Sequence, residues 1–180
     1  RILLTFRALQ INPETIALRI PSSMLEKAKQ SFGKYIVFSK AKLIDAQHEY
    51  QLVGLYGDKS TELVKHIFHT LPIENGGHVE HEGNFLIQLD ANRYECWIRQ
   101  TNSAAFLQQI TINTTQGSTN DWKLMDIAAG IADVYPETYE QLTPQEINYQ
   151  LVNGINFRKG CYTGQEIVAR MHYRGKLKRH

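Results

Sequence analysis

The sequence predicts an α+β fold with mostly antiparallel sheets. Strand-like stretches come in pairs, each pair followed by a helical pattern, so the order reads β-β-α-β-β-α-β-β-α. Turn residues such as Asn12-Pro13 and Asp90-Ala91-Asn92 join the paired stretches closely, which suits antiparallel neighbours. No internal repeat of fixed period and no low-complexity segment interrupts this order.

Ile2 to Leu9 reads as a strand, and Thr15 to Ile20 as its antiparallel partner. Pro21-Ser22-Ser23 opens a helix reaching about Phe32, with Ser23 as N-cap and Glu26 as its capping-box partner. Lys42 to Ala46 and Tyr50 to Tyr56 read as the next strands. Gly57-Asp58 then starts a helix through about His69, with Leu63, Val64, Ile67 and Phe68 facing inward. Leu71-Pro72 stops it, and Asn75-Gly76-Gly77 is a turn. Phe85 to Leu89 and Tyr94 to Arg99 are strands, and Ser103 to Ile110 is a short helix. A polar, Thr-rich connection leads to a helix over Asp121 to Ala129, with Trp122, Met125 and Ala129 on one side and Gly130 as its stop. Gln145 to Tyr149 reads as a short helix, and Gly154 to Phe157 leads into the stretch richest in chemistry.

The chain of 180 residues is long enough to bury a sizeable core, as one large domain or two small ones. Its formal net charge of +2 gives no global argument for nucleic-acid binding. No apolar run approaches the roughly 20 residues that a membrane-spanning helix needs, so no membrane association is expected. Arg1-Ile2-Leu3-Leu4 lacks the features of a secretory signal and begins directly in a strand-like pattern. Both ends look cut. Two cysteines, Cys96 and Cys161, with no CxxC, do not make a disulfide framework and point to a reducing compartment. Alternation places Cys96 on one face of a strand with Tyr94 and Ile98, as a buried structural thiol.

Lys159-Gly160-Cys161-Tyr162-Thr163-Gly164-Gln165-Glu166 combines residue types that a core does not need. Gly160 and Gly164 permit positive φ or close backbone approach, so Cys161 is expected on a bend. Arg158 and Lys159 set positive charge beside it, which favours thiolate, and a following helix start would add to that. From Gln165 the pattern is helical. Ile167, Val168 and Met171 fall on one side, and Glu166, Arg170 and Arg174 line another at i,i+4 spacing. A tight turn around a small buried cysteine is the competing reading. Tyr162, flanked by the glycines, is the aromatic most suited to facing a cavity, among others that include Trp122, Phe157 and Tyr173.

His66 with His69, and His78 with His81, have spacings seen in metal sites. Neither pair comes with the further ligands that a closed site requires, so they read as surface histidines and no metal is expected. Arg170, His172, Arg174, Lys176, Lys178, Arg179 and His180 form a basic stretch with no acid after Glu166, suited to a solvated tail or to a polyanion.

Lys159 to Glu166, with Ile167-Val168-Ala169-Arg170 and Tyr173-Arg174-Gly175 after it, resembles the signature of the YgfZ family of folate-binding proteins, relatives of the T-protein of the glycine cleavage system. Gly130, Pro144-Gln145-Glu146, Asn148 and Gly154-Ile155-Asn156-Phe157 stand in the matching order upstream. The resemblance implies an aminomethyltransferase-like folate-binding fold. Residues 1–120 would be its αβ region and 121–180 the remainder carrying the signature. Relatives of this kind also have a segment before position 1 and a β-rich domain after position 180, which agrees with a fragment. It further implies a cytoplasmic accessory protein that binds tetrahydrofolate or a derivative and supports the synthesis or repair of iron–sulfur proteins, the tRNA-methylthiolating enzymes among them. Iron–sulfur enzymes or assembly proteins would be partners, and contact with tRNA would be indirect. Cys161 would be the functional thiol, its role being redox, transient ligation or folate chemistry. Lys159, Gly160, Tyr162, Gly164, Gln165, Glu166, Arg170, Arg174 and Trp122 would contribute to the folate site. Two alternatives stand beside this reading: a folate-dependent aminomethyl or one-carbon transferase, and an RNA-binding module. Against the first, the early strand offers Leu3, Leu4 and Thr5 where T-protein enzymes carry an acidic residue, and Ala128-Ala129-Gly130 where they carry Glu-Ala-Gly. T-proteins of the glycine cleavage system also lack the cysteine signature. Against the second, no RNA-binding motif accompanies the basic stretch.

Overall fold

The computed structural model of the protein describes residues 1–175. It is α+β with antiparallel sheets, as the order of elements predicts. Ile44–Trp122 forms one compact unit, and Arg1–Leu43 with the chain from Lys123 onward forms the other.

The unit Ile44–Trp122 is built on a four-stranded antiparallel sheet. Its strands are β3 (Tyr50–Tyr56), β4 (His78–His81), β5 (Asn84–Asp90) and β6 (Arg93–Arg99), in the order β3-β6-β5-β4. In register, Val53 faces Cys96 and Leu55 faces Tyr94, so alternate side chains line one face. Helices α2 (Ser60–Phe68) and α3 (Ser103–Thr111) supply Val64, Phe68, Phe106 and Ile110 to the core with that face. The Phe68 and Phe106 rings meet edge-on at 6.4 Å. Cys96 is fully buried in this core, as its alternation predicts. Burial pushes its thiol pKa up, and the neighbouring Glu95 carboxylate adds to the rise.

Strand β4 is not foreseen by the sequence reading. It pairs with β5 around Glu82-Gly83, both at positive φ (51° and 77°), the conformation of a two-residue hairpin turn. The strand expected over Lys42 to Ala46 does not form. Its apolar residues Leu43 and Ile44 are exposed, and the Asp45 carboxylate accepts the Gln47 N–H at 3.1 Å to start a turn instead.

In the other unit, β1 (Arg7–Asn12) and β2 (Thr15–Arg19) form a hairpin. The expected strand start at Ile2 is not reached. The ladder opens at the Arg7–Arg19 pair, and Pro21 has no N–H with which to extend it. Ile2 is held instead by residues late in the chain. Its N–H donates to the Leu142 carbonyl at 2.8 Å, and its carbonyl accepts the Glu140 N–H at 3.0 Å. The expected Ser23 cap is also replaced. Ser22–Met24 is a 3₁₀ turn, helix α1 (Leu25–Ile36) follows without a side-chain cap, and Glu26 pairs with Lys29 at 3.0 Å. Met24, buried with Ile2 and Val134, fixes that turn against the core.

Helix α4 (Thr119–Ala128) starts on a capping box that the sequence reading misses. Ser118 Oγ accepts the Asp121 N–H at 3.1 Å, and Asp121 Oδ2 accepts the Ser118 N–H at 2.9 Å. These bonds hold the Asp121 carboxyl below its ordinary pKa. The helix ends at Gly130, as expected. Gly130 has φ 73°, its N–H reaches the Ile127 carbonyl, and the Ile131 N–H reaches that of Asp126, a Schellman motif. Trp122 and Met125 are half-buried, but Ala129 is exposed and Asp126 is the buried residue of the helix. The short helix expected over Gln145 to Tyr149 is a series of single turns, because Asn148 takes a left-handed φ of 53°. Among the described residues no helix is long and apolar enough to cross a membrane.

Candidate functional site

The signature forms a loop and then a helix, as its pattern predicts. Asn156 builds the entry. Its side-chain carbonyl accepts the N–H groups of Arg158 at 2.8 Å and Lys159 at 3.0 Å, folding the chain into a tight polar turn. Lys159 then curls over Tyr162, its ammonium 4.8 Å from the ring centroid. Gln165 donates its N–H to the Tyr162 carbonyl at 3.1 Å, and Gly164, at φ 86°, turns the chain into α5 (Gln165–Arg174). Only glycine takes that φ without strain. Gly160 differs: its φ is not positive, and a β-carbon there would meet nothing within 4 Å.

Cys161 lies exposed on this loop, four residues ahead of α5 rather than in its first turn. The competing reading of a small buried cysteine does not hold. Lys159, Glu166 and Arg170 are exposed, while Tyr162 and Gln165 are half-buried. The Arg174 side chain and the basic residues 176–180 lie outside the described residues. Trp122 belongs to the sheet unit, where its ring stands 6.4 Å from that of Tyr56 and 5.3 Å from the Arg93 guanidinium.

Two contacts fix α5 against the chain that precedes it. Gln145, nearly fully buried, donates its amide to the Val168 carbonyl at 2.7 Å. The Phe157 ring stacks on that of His172 at 4.0 Å and 23°. Sequence reasoning places His172 in the basic stretch and Gln145 and Asn156 among the residues of the resemblance, but foresees none of these contacts. An asparagine two residues before a bend is a readable turn signal. A stack between a loop residue and the far turn of a helix leaves no local pattern. Upstream, Gly154 donates its N–H to the Tyr149 carbonyl at 2.8 Å, and a β-carbon on it would overlap the Tyr149 ring. Burial, then the nearby Asp133, raises the Tyr149 pKa.

Thr5, one of the positions without a carboxylate, is buried, and its hydroxyl accepts the Val134 N–H at 2.9 Å. It serves the backbone there. The histidines expected at the surface lie in the sheet unit, with His69 and His81 edge-to-face at 4.8 Å. Among the described residues no three His, Cys, Asp or Glu side chains gather as metal ligands do.

Chemically, the loop offers an exposed thiol on a constrained bend, cations before it, and an amide and a carboxylate at the start of the next helix. No family model matches the chain. It is 37% identical over 148 residues to the tRNA-modifying protein YgfZ of Pectobacterium atrosepticum, a match covering 81% of this chain and 44% of that protein. The proteins of the same name from Photorhabdus laumondii (35% over 160 residues) and Yersinia enterocolitica (33% over 159) are each matched over 87% of this chain and 48% of their own length. The chain thus spans about half the length of the curated relatives it matches. Matched along most of its residues by these relatives, the chain belongs to the YgfZ family.

Proposed function

We propose that this chain is the folate-binding part of a cytoplasmic accessory protein for iron–sulfur protein synthesis or repair, acting through Cys161. The tRNA-methylthiolating enzymes would be among its clients. The observation that carries the reading is the contrast between the cysteines: Cys96 is sealed in a core, and Cys161 is exposed on a loop shaped by Asn156 and Gly164. A structural thiol needs no such presentation.

The donor set suits a tetrahydrofolate. Gln165 and Glu166 offer an amide and a carboxylate for the polar edge of a pterin. Lys159 and Arg170 offer cations for glutamate carboxylates. Lys159 covers one face of Tyr162, so ring stacking would use the other. When bound, folate would supply a one-carbon or redox-active pterin. The chain's own residues would orient it and hold the Cys161 sulfur at the loop surface. The relatives' name, tRNA-modifying protein, agrees with a role upstream of tRNA modification. Aminomethyl transfer is disfavoured, because position 5 is a buried hydroxyl engaged by backbone.

Separate calorimetric titrations of tetrahydrofolate and tRNA into the complete polypeptide test the proposal. Folate binding without salt-steep tRNA binding supports it. No folate binding at millimolar ligand, together with tRNA binding that falls steeply with salt, replaces it with RNA binding.

A further inference from the structure

We infer that His172 is a positioning residue, holding the Cys161 loop in its folded conformation through its stack on Phe157. This rests on the reading that Cys161 is the functional group. The loop leaves at Phe157 and rejoins the helix at Gly164. Its rejoining end is fixed covalently to α5, through the left-handed Gly164. Its leaving end has a non-covalent tie to the same helix, the stack of Phe157 on His172, with centroids 4.0 Å apart and planes 23° from parallel. The chain between these points is thereby closed into a ring with the helix, and Cys161 is exposed on it.

The contacts inside the ring are local. Asn156 shapes Arg158 and Lys159, and Lys159 covers Tyr162. They set the shape of the bend, and the bond from the Gln165 N–H to the Tyr162 carbonyl ties it to α5 only at the rejoining end. Phe157 is half-buried, whereas His172 is exposed, with Tyr173 edge-on to it at 4.8 Å. An exposed imidazole lying nearly parallel to a half-buried phenyl ring contributes little to a core. Its effect is to lower the entropy of the loop that carries the thiol.

The test uses a nitroxide on Cys161 of the complete polypeptide, with any cysteine outside this chain replaced by serine; buried Cys96 stays unlabelled in the folded protein. The spectrum reads the ratio of ordered to mobile label. His172→Ala should lower that ratio roughly 2- to 10-fold, the range expected for loss of one aromatic pair. His172→Phe, which keeps a stacking ring, should restore it. Phe157→Ala should mimic His172→Ala, and the double variant should lose no more than either single one. An unchanged ratio in His172→Ala, or a failure of His172→Phe to restore it, overturns the inference. Tetrahydrofolate is titrated into the same samples. If the unsubstituted protein binds none, the folate reading fails, while the spectra still decide the role of His172.

Discussion

Trp122 stands over Gly54 so closely that a β-carbon at position 54 would overlap the indole ring. Gly54 lies in β3 opposite Glu95, and the bare backbone there is the seat of the indole. Gly54→Ala should therefore destabilise the sheet unit by about 1–3 kcal/mol in denaturant titration, as expected for overpacking. Gly33→Ala is the control. It lies inside α1 with nothing within 4 Å of a β-carbon, and should stabilise by about 0.5–1 kcal/mol.

The two thiols should separate under alkylation. Cys161 should react within the folded state, and Cys96 only on the timescale of unfolding. Peptide mapping after a timed iodoacetamide pulse decides it, and labelling of Cys96 first would contradict the packing described. The raised Cys96 pKa also predicts a pH dependence. Its contribution to stability is full below the ordinary thiol value of 9.0 and declines as pH rises above it. Denaturation midpoints measured upward from pH 8 should fall, and Cys96→Ala should flatten that fall while lowering the midpoint overall.

The signature glycines should differ. Gly164→Ala forces a side chain to φ 86° and should cost about 1–3 kcal/mol of local strain. It should be visible as faster hydrogen exchange at the start of α5. Gly160→Ala has open space and no positive φ, and should leave exchange there unchanged.

The α4 capping box gives an acid-side prediction. Asp121 has a lowered pKa, so its contribution is present above its unfolded value and lost as pH falls through the folded one. Ser118→Ala should lower stability by about 1 kcal/mol at neutral pH and weaken the acid dependence. Melting curves from pH 5 down to pH 2 would reveal it.

Much of this architecture was legible in the sequence. Tyr50 to Tyr56, an apolar and aromatic run ended by Gly57-Asp58, forms β3 over those same residues. Gly130, Gly164 and the helix after Gln165 carry local chemistry that dictates their conformation. The misses share a different physics. Ile2 to Phe6 has strand composition, but its backbone partners are near residue 140, and no local pattern encodes them. Ser23 is a sound cap locally, yet buried Met24 decides the turn. In the site, the bend at Cys161 and the left-handed Gly164 are read directly, whereas Gly160 has neither a positive φ nor a close neighbour. The Phe157–His172 stack and the Gln145–Val168 bond are tertiary, and composition does not announce them. Glu82-Gly83 was readable as a hairpin turn, but it lacks the Asn-Gly or Asp-Gly that makes such turns conspicuous.

The bond between Ile2 and Leu142 has a consequence for the order of assembly during synthesis. Ile44–Trp122 is contiguous, so all of its sheet has been made once Trp122 leaves the ribosome. The unit containing Ile2 must wait for residues made later, because its first strand-like segment bonds to carbonyl and amide groups near position 140. Translation at about 5–20 residues per second separates the two events by seconds. During that interval the apolar segment around Ile2 and Leu4 lacks its partners near positions 134–142. A stalled chain ending shortly after Trp122 should therefore have a protease-resistant sheet unit and a cleavable segment around Ile2 and Leu4.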